Sequence, residues 1–153
     1  RAFEGEKAAE TLRIFAENFT LPNSFHANGE QHDRGYSNFK YRPFTLEGGF
    51  AFAAAIQEML IQSHTGVIHL FPAIPSSWKD VSFNSLRTPG AFLVSASQVD
   101  GKVRNVIITS DKGGICQLKN PFGTSEFKTK SDCKHEIISE NDFRSSSNIN
   151  FCR

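Results

Sequence analysis

The change from helical to β patterning is encoded in residues 44–75, which read FTLEGGFAFAAAIQEMLIQSHTGVIHLFPAIP. Good helix formers fill the first part and predict a helix that runs from Leu46 to about Ser63. Apolar side chains cover much of the circumference of this helix, so it needs packing partners on more than one side. After His64-Thr65-Gly66 the pattern changes to short β segments. The stretch therefore marks the boundary between a helical and a β region.

Two segments precede this boundary. Ala2 to Phe19 has apolar residues at helical spacing and predicts an amphipathic helix. Leu21 to Pro43 is rich in Asn, Ser, Gly, His and Tyr, and it predicts a loop long enough to suggest a function. Since two helices are too few to bury the apolar surface of the second one, we expect the helical region to have further partners.

The residues beyond the boundary predict antiparallel strands that are separated by turn residues. The expected strands are Val67–Phe71, Ser82–Leu86, Ala91–Val99, Val103–Ser110 and Ile115–Leu118. Asp100-Gly101 lies between two alternating runs and indicates a two-residue hairpin. We expect edge strands at Glu126–Lys130 and His135–Ser139, and the Ser- and Asn-rich stretch from Asn141 to Arg153 is expected to fray.

Composition narrows the classes of function. The 153 residues are 39% hydrophobic and carry a formal net charge of +1, which is typical of a globular protein. No basic stripe is present, so no nucleic-acid partner is expected. The longest apolar run, Phe50 to Ile56, is far shorter than the roughly 20 residues that span a bilayer, so no membrane partner is expected. The chain opens on Arg1 without an initiator Met, which we interpret as a sign of a fragment, and the compartment stays open, with secretion or the periplasm slightly favoured.

The three cysteines, Cys116, Cys133 and Cys152, cannot all pair within the chain. One disulfide between Cys133 and Cys152 is possible, and idle thiols are at least as plausible. Asn18-Phe19-Thr20 fits the N-glycosylation sequon, which matters only in a secreted protein.

Glu47 is the candidate catalytic residue, because it precedes Gly48-Gly49 at the N-terminus of a predicted helix and follows a polar loop. The glycines leave space for a ligand to approach the backbone. The helix N-terminus stabilises negative charge, which suits a carboxylate that acts as a general base. The alternative is that Glu47 only stabilises its helix, as acidic residues in first turns commonly do.

The polar loop holds further candidates. Four alternating residues would share one face of a strand and resemble a metal site: His26, Asn28, Glu30 and His32. In a Gly-containing loop this geometry is not assured, so we favour solvated or ligand-contacting side chains and expect no metal. Tyr36, Phe39 and Tyr41 could stack on the apolar face of a ligand or could bury themselves to hold the loop.

Several motifs resemble the end of the catalytic region of glycoside hydrolase family 95, whose members are α-L-fucosidases and some α-L-galactosidases. The family pattern Phe-Gln-Ile-Asp-Gly-Asn-Phe-Gly resembles residues 44–51, and its helix ending Glu-Met-Leu-x-Gln-Ser resembles Glu58 to Ser63. The family segment Leu-Pro-Ala-Leu-Pro and a following Trp resemble residues 70–75 and Trp78.

The resemblance implies an α+β chain: terminal helices of an (α/α)6 barrel in residues 1–66, an antiparallel β-sandwich in residues 67–140, and a polar tail in residues 141–153. It also implies an inverting hydrolase that acts on glycans, with Glu47 as the general base where the family has aspartate. Since two carboxylates and a water suffice for this reaction, no cofactor is required. The general acid and the assisting asparagines would lie before Arg1, so the N-terminal remainder of the same enzyme is an expected partner.

The substrate-binding candidates also come from this resemblance. Asn23, Ser24, His26 and Asn28 lie where the family loop reaches the sugar pocket, and Arg42 is a candidate for bonding the substrate or for pairing with Glu47. Gly49 stands at the position of the motif's Asn, and the loop before the motif is longer than in the family. Such changes alter the choice of substrate more readily than the class of reaction. The alternative function is a non-catalytic carbohydrate-binding or structural β module.

Overall fold

The computed structural model describes residues 1–122, 130–131, 135–139 and 148–151. The chain divides into two compact units. The first unit comprises residues 1–59 with residues 73–75, and the second comprises residues 60–72 with residues 76–153. Cys133 and Cys152, and with them the possible disulfide, lie outside the described residues.

Two α-helices form in the first unit, as the sequence predicted. Helix α1 spans Gly5–Asn18, and helix α2 spans Glu47–Leu60. Gly5 lies so close to the segment 73–75 that an added Cβ would fall 2.1 Å from the carbonyl oxygen of Ile74. Helix α2 ends three residues before the predicted Ser63. No helix in the described part of the chain combines the length and the apolar character that crossing a membrane requires.

The predicted loop from Leu21 to Pro43 contains a strand and the beginning of another, which the sequence analysis did not predict. Strand β1, His26–Gly29, pairs antiparallel with strand β2, Lys40–Thr45. The burial of side chains alternates along β1, where Ala27 and Gly29 are buried while Asn28 is exposed. The polar composition of the segment gave no sign of this alternation. The pairing register shifts between Ala27 and Gly29, opposite the part of β2 that contains Pro43, which has no N–H to donate to a sheet ladder.

The second unit contains an antiparallel sheet of five strands in the order β5-β6-β7-β10-β9. These strands are β5 (Val81–Thr88), β6 (Phe92–Val99), β7 (Lys102–Ser110), β9 (Lys130–Ser131) and β10 (His135–Ser139). Two pairs accompany the sheet: β3 (Ile61–Gln62) with β4 (His69–Leu70), and β8 (Gly114–Gln117) with β11 (Asn148–Phe151). The antiparallel β region that the sequence predicted is therefore confirmed.

Four details of the β region differ from the predictions. Ile61–Gln62 belong to strand β3 rather than to helix α2, because they pair with β4. Strand β4 is shorter than the predicted strand Val67–Phe71. Strand β10 matches the prediction for His135–Ser139 but lies between β7 and β9 rather than at an edge. Asn148–Phe151 pairs with β8, so this part of the tail does not fray. Of the predicted strand Glu126–Lys130, only Lys130 lies within the described residues.

Alternation along β6 and β7 builds the core of the second unit. Every second residue of β6 is buried, beginning with Phe92 and Val94, and Val106 and Ile108 of β7 are fully buried. Leu118, which is also fully buried, follows β8 and forms a bridge with Ile68. Complete burial of such a side chain contributes roughly 1.5–3 kcal/mol. The predicted hairpin at Asp100-Gly101 is present, with φ of 50° and 74° at the two positions. Positive φ at both positions is typical of a type I′ turn.

Candidate active site

Glu47 is the first residue of helix α2, and its side chain is exposed. The first turn is closed by a hydrogen bond in which the N–H of Phe50 donates to the carbonyl of Leu46. Within the described part of the chain, the Glu47 carboxylate makes no hydrogen bond or ion pair. It is therefore available to a ligand, and the helix N-terminus stabilises its negative charge.

The imidazole of His26 lies beside this first turn. Its Nδ1 is 2.5 Å from Oγ1 of Thr45, and a Cβ built on Gly48 would fall 2.4 Å from the same nitrogen. Phe15 of helix α1 stacks on the ring, with centroids 5.0 Å apart and an interplanar angle of 14°. Thr45 and Phe15 thus hold His26 beside Gly48, the residue that follows Glu47, so two of the predicted site residues lie near the same end of helix α2.

Asn23 and Ser24 form a tight turn that precedes β1. The side-chain oxygen of Asn23 accepts a hydrogen bond from the N–H of Phe25 at 3.2 Å, and the N–H of Ser24 donates to the carbonyl of Leu21 at 2.8 Å. Ser24 has φ of 66°, in the left-handed region. Both residues are exposed. Asn23 thus shapes the turn with its oxygen and presents its amide nitrogen to solvent.

Asn28 and Arg42 lie on the paired strands. Asn28 is exposed and lies two residues from His26 along β1, and strand alternation places both on the same side. The Nε of Arg42 donates to the side-chain oxygen of Gln31 at 3.0 Å. In this structure Arg42 therefore binds Gln31 and not Glu47.

Glu30 has a role that sequence reasoning missed. Its side chain is only 3% exposed, and its carboxylate accepts hydrogen bonds from the N–H groups of Tyr36 at 2.9 Å, Ser37 at 3.1 Å, and Arg34. Burial has the largest single effect on the Glu30 pKa and would raise it, but the N–H groups of residues 34–37 outweigh burial and lower the pKa below its usual 4.5. Because its oxygens are occupied by the loop, Glu30 is a structural residue. No periodicity or motif marks a carboxylate that binds the backbone of its own loop.

An exposed aromatic surface surrounds the start of helix α2. We define the aromatic surface as six residues whose exposed fractions run from 44% to 69%: Phe25, Phe39, Tyr41, Phe44, Leu46 and Phe50. The ring centroids of Phe25 and Phe44 are 5.1 Å apart, and those of Phe39 and Tyr41 are 5.7 Å apart. Large apolar side chains that are exposed in this number indicate a site of interaction. Tyr36, at 50% exposure, also faces solvent and does not bury itself.

The structure also bears on three other features of the sequence: the glycosylation sequon, Cys116 and the possible metal site. Asn18 of the sequon is 1% exposed, and its Nδ2 donates to the carbonyl of Ile14, so a glycan at this position is incompatible with the fold. Cys116 is a buried thiol, and burial raises its pKa to about 12. Among the described residues, no three His, Cys, Asp or Glu side chains come together in a group that could hold a metal ion.

Comparison with known proteins assigns the family. Residues 62–151, more than half of the chain, match the model described as glycoside hydrolase family 95, C-terminal domain. The chain belongs to glycoside hydrolase family 95. A stretch of 71 residues in this family 95 chain is 39% identical to Alpha-L-fucosidase 2 of Arabidopsis thaliana. The aligned stretch covers 44% of the chain and 8% of that relative, so the chain spans a small part of the relative's length.

The family resemblance inferred from the sequence is thus confirmed, and the chain is part of the glycoside hydrolase class. The matched range of the family 95 chain begins at residue 62, which is C-terminal to Glu47. The roles of Glu47 and of the substrate-binding candidates remain predictions.

Proposed function

We propose that the protein containing this chain is an inverting glycoside hydrolase that removes terminal α-L-fucose, or a related L-sugar, from glycans. Membership of family 95 supports the assignment to glycoside hydrolases, and the likeness to Alpha-L-fucosidase 2 supports L-fucose as the sugar that is released. The observation that carries the proposal for this chain is the exposed Glu47 carboxylate, which has no described partner and stands at a helix N-terminus before two glycines.

In the proposed reaction Glu47 is the general base. Its carboxylate removes a proton from a water molecule as that water attacks the anomeric carbon, while a carboxylic acid on the opposite side protonates the departing oxygen. The two carboxyl groups of an inverting enzyme stand about 6.5–9.5 Å apart, which leaves room for the water. Gly49 presents no side chain, and a Cβ there would meet nothing within 4 Å, so the space beside Glu47 is open to a substrate.

The substrate-binding residues of the proposal are the five candidates from the sequence. His26 and Asn28 support it best, because they lie on one side of β1 and His26 is fixed beside the turn that carries Glu47. Arg42 is exposed and uses its Nε for Gln31, which leaves other N–H groups of its guanidinium for sugar hydroxyls. Asn23 and Ser24 would contribute from the exposed turn before β1.

The proposal includes the rest of the enzyme as a partner. In it, residues 1–66 complete an (α/α)6 barrel whose other helices supply the general acid, residues 67–140 form the β-sandwich, and residues 141–153 form the tail. The aromatic surface supports this arrangement, since an apolar area of that kind needs a covering partner or a ligand.

The test is hydrolysis of α-L-fucosides and α-L-galactosides by the full-length protein and its Glu47→Gln variant. Removal of a general base should lower kcat by about 10²–10⁴-fold while the circular dichroism spectrum stays unchanged. NMR of the first product formed should show the β-anomer, as inversion requires. A matched control is Glu10→Gln, which removes an exposed helical carboxylate that pairs with Arg13 and should leave kcat unchanged.

Two results would contradict the proposal. Full activity of the Glu47→Gln variant would remove Glu47 from the mechanism, and an α-anomer as first product would exclude inversion. A full-length protein inert on every sugar would favour the alternative, a non-catalytic carbohydrate-binding or structural module. One observation favours that alternative: the family match covers the β region and excludes Glu47.

A further inference from the structure

The five-stranded sheet of the second unit carries neutral polar side chains on the face opposite its core. Ser82 of β5 pairs directly with Ser97 of β6, and Ser97 pairs directly with Asn105 of β7, so the three residues form one row across the strands. A second row runs beside it, in which Ser95 of β6 pairs with Ile107 of β7. Because neighbouring strands lie about 4.8 Å apart, a row across three strands is about 10 Å wide. The two rows line a shallow depression of about 410 Å³, which we call the polar trough.

A β-bulge fixes the orientation of Asn84 at the side of the polar trough. Ser85 has φ of 54°, and the register of β5 and β6 shifts between Phe83 and Leu86. The N–H of Ser85 donates to Oγ of Ser95, and both serine hydroxyls donate to the side-chain oxygen of Asn84. Bulges commonly re-aim a side chain in this way. The amide nitrogen of Asn84 has no acceptor among the described residues, so it remains available to a ligand.

Trp78 stands next to the polar trough on a rigid support. Its side chain is 37% exposed in an open cleft of about 680 Å³, lined by residues 77–82, and Ser82 lines both this cleft and the trough. The side-chain amide of the buried Gln98 donates to the carbonyls of Trp78 at 3.2 Å and Lys79 at 3.3 Å. The N–H of Gly101 donates to the same Lys79 carbonyl at 2.9 Å. An indole presented by such an anchored backbone loses little freedom when it binds a ligand.

The chemistry of this surface selects an uncharged ligand with many hydroxyls. Among the described residues, no charged side chain lines the polar trough, whose lining comprises Ser82, Phe83, Asn84, Ser95, Ala96, Ser97, Asn105 and Ile107. The cleft beside Trp78 adds one charge of each sign, Lys79 and Asp80, and therefore no net charge. An ionic ligand would lose hydration there without gaining an opposite charge. Hydroxyl and amide groups can donate to and accept from sugar hydroxyls, and the face of an indole suits the apolar C–H side of a pyranose ring.

We propose that Trp78 and the polar trough form a binding site for uncharged oligosaccharides on the β region of this chain. The site consists of Trp78 and the residues that line the polar trough, and it does not depend on whether Glu47 is a catalytic base. It would hold a glycan on the protein without cleaving it.

Tryptophan fluorescence tests this proposal directly, because Trp78 is the only tryptophan in the 153 residues. The full chain is titrated with cellotetraose, mannotetraose and 2′-fucosyllactose as uncharged probes, and with tetragalacturonate as an anionic probe. At least one uncharged probe should change the emission in a saturable way, while tetragalacturonate should not. Emission that no uncharged probe changes, or equal binding of tetragalacturonate, would overturn the proposal.

Variants separate this site from the candidate active site. Asn105→Ala should weaken the binding about tenfold, which corresponds to one lost hydrogen bond, and Trp78→Phe should weaken it further in calorimetry. Lys112→Ala, in an exposed turn outside the site, should bind as the parent chain does. Glu47→Gln should also bind normally, even if that variant abolishes hydrolysis in the full-length protein. Normal binding by Asn105→Ala and Trp78→Phe, with weaker binding by Glu47→Gln, would overturn the proposal.

Discussion

The imidazole of His26 occupies the space in which a side chain on Gly48 would lie. A Cβ on Gly48 would fall 2.4 Å from Nδ1 and 2.5 Å from Cγ of the ring, whereas a Cβ on the next residue, Gly49, would meet nothing within 4 Å. Neither glycine has φ in the left-handed region. Gly48 is therefore required by the close approach of His26, and adjacent glycines in one helical turn have different roles.

Substitution of the two glycines by alanine should have opposite effects on stability. Gly49→Ala places a methyl group in open space and replaces glycine within a helix, so it should raise the free energy of unfolding by roughly 0.5–1 kcal/mol. Gly48→Ala should be about 1–3 kcal/mol less stable than Gly49→Ala, because its methyl group must displace the ring that Thr45 and Phe15 hold. Urea denaturation followed by circular dichroism measures both.

The Gly48→Ala and Gly49→Ala variants together also test the position of the His26 ring. If the two variants gain stability equally, the ring does not stand over Gly48. His26→Ala in the Gly48→Ala background serves as the control, since it removes the clash and should recover part of the lost stability.

Much of the second unit could be predicted because its strands follow simple rules. Every second residue of β6 is buried, β7 alternates in the same way from Asn105 to Ser110, and Asp100-Gly101 encodes the turn that joins the two strands. The position of Glu47 at the start of helix α2 could be predicted for a similar reason, since good helix formers follow it and acidic residues are favoured in first turns. In each case the signal lies in neighbouring residues and in the local rules of backbone geometry.

The pairing of β1 with β2 could not be predicted because it depends on contacts between distant residues. His26 pairs with Thr45 although 19 positions separate them, and the strands contain polar residues and a proline. The pairing of Ile61 with Leu70 is likewise set by tertiary contact, which overrides good helix propensity. The structural role of Glu30 was missed for the same reason. Its partners are backbone N–H groups of an irregular loop, and helix and strand propensities do not predict the conformation of such a loop.

Glu30→Gln should loosen the loop formed by residues 34–37. The buried carboxylate accepts several N–H groups with two oxygens, whereas an amide offers one oxygen and turns an NH2 donor toward the remaining N–H groups. We expect faster hydrogen exchange at Tyr36 and Ser37 and a lower thermal midpoint. The same substitution at the exposed Glu47 is the control and should leave exchange in this loop unchanged.

The stability that Glu30 provides should depend on pH in one direction. The pKa of Glu30 is lowered in the folded chain, so its contribution is present above its unfolded pKa of 4.5 and is lost as the pH falls through the folded value. Between about pH 6 and pH 3 the parent chain should therefore lose more stability than Glu30→Gln does. Parallel loss in both proteins would show that Glu30 does not carry this dependence.

Cys116 should resist alkylation in the folded chain. Its thiol is 1% exposed, and a pKa of about 12 leaves roughly one thiol in 10⁴ ionised at pH 8. After iodoacetamide treatment, mass spectrometry should find the peptide that contains Cys116 unlabelled in the native chain and labelled in urea. Equal labelling under both conditions would show that the strand with Cys116 opens readily.

Gly101→Ala tests the hairpin between β6 and β7 through its backbone alone. Gly101 has φ of 74°, and a Cβ there would meet no atom within 4 Å, so the cost of alanine comes from the left-handed conformation and not from a clash. We expect a loss of about 1–2 kcal/mol in the free energy of unfolding of the second unit.

Asp100→Asn is the matched control for this turn. Asp100 has φ of 50°, and its backbone N–H donates to the carboxylate of Asp80 whichever side chain is present. Asparagine tolerates the left-handed region and is favoured in type I′ turns, so this variant should match the parent chain. Urea denaturation measures the free energy of unfolding of both variants. A loss of stability confined to Gly101→Ala supports the type I′ turn, and equal losses in the two variants would contradict it.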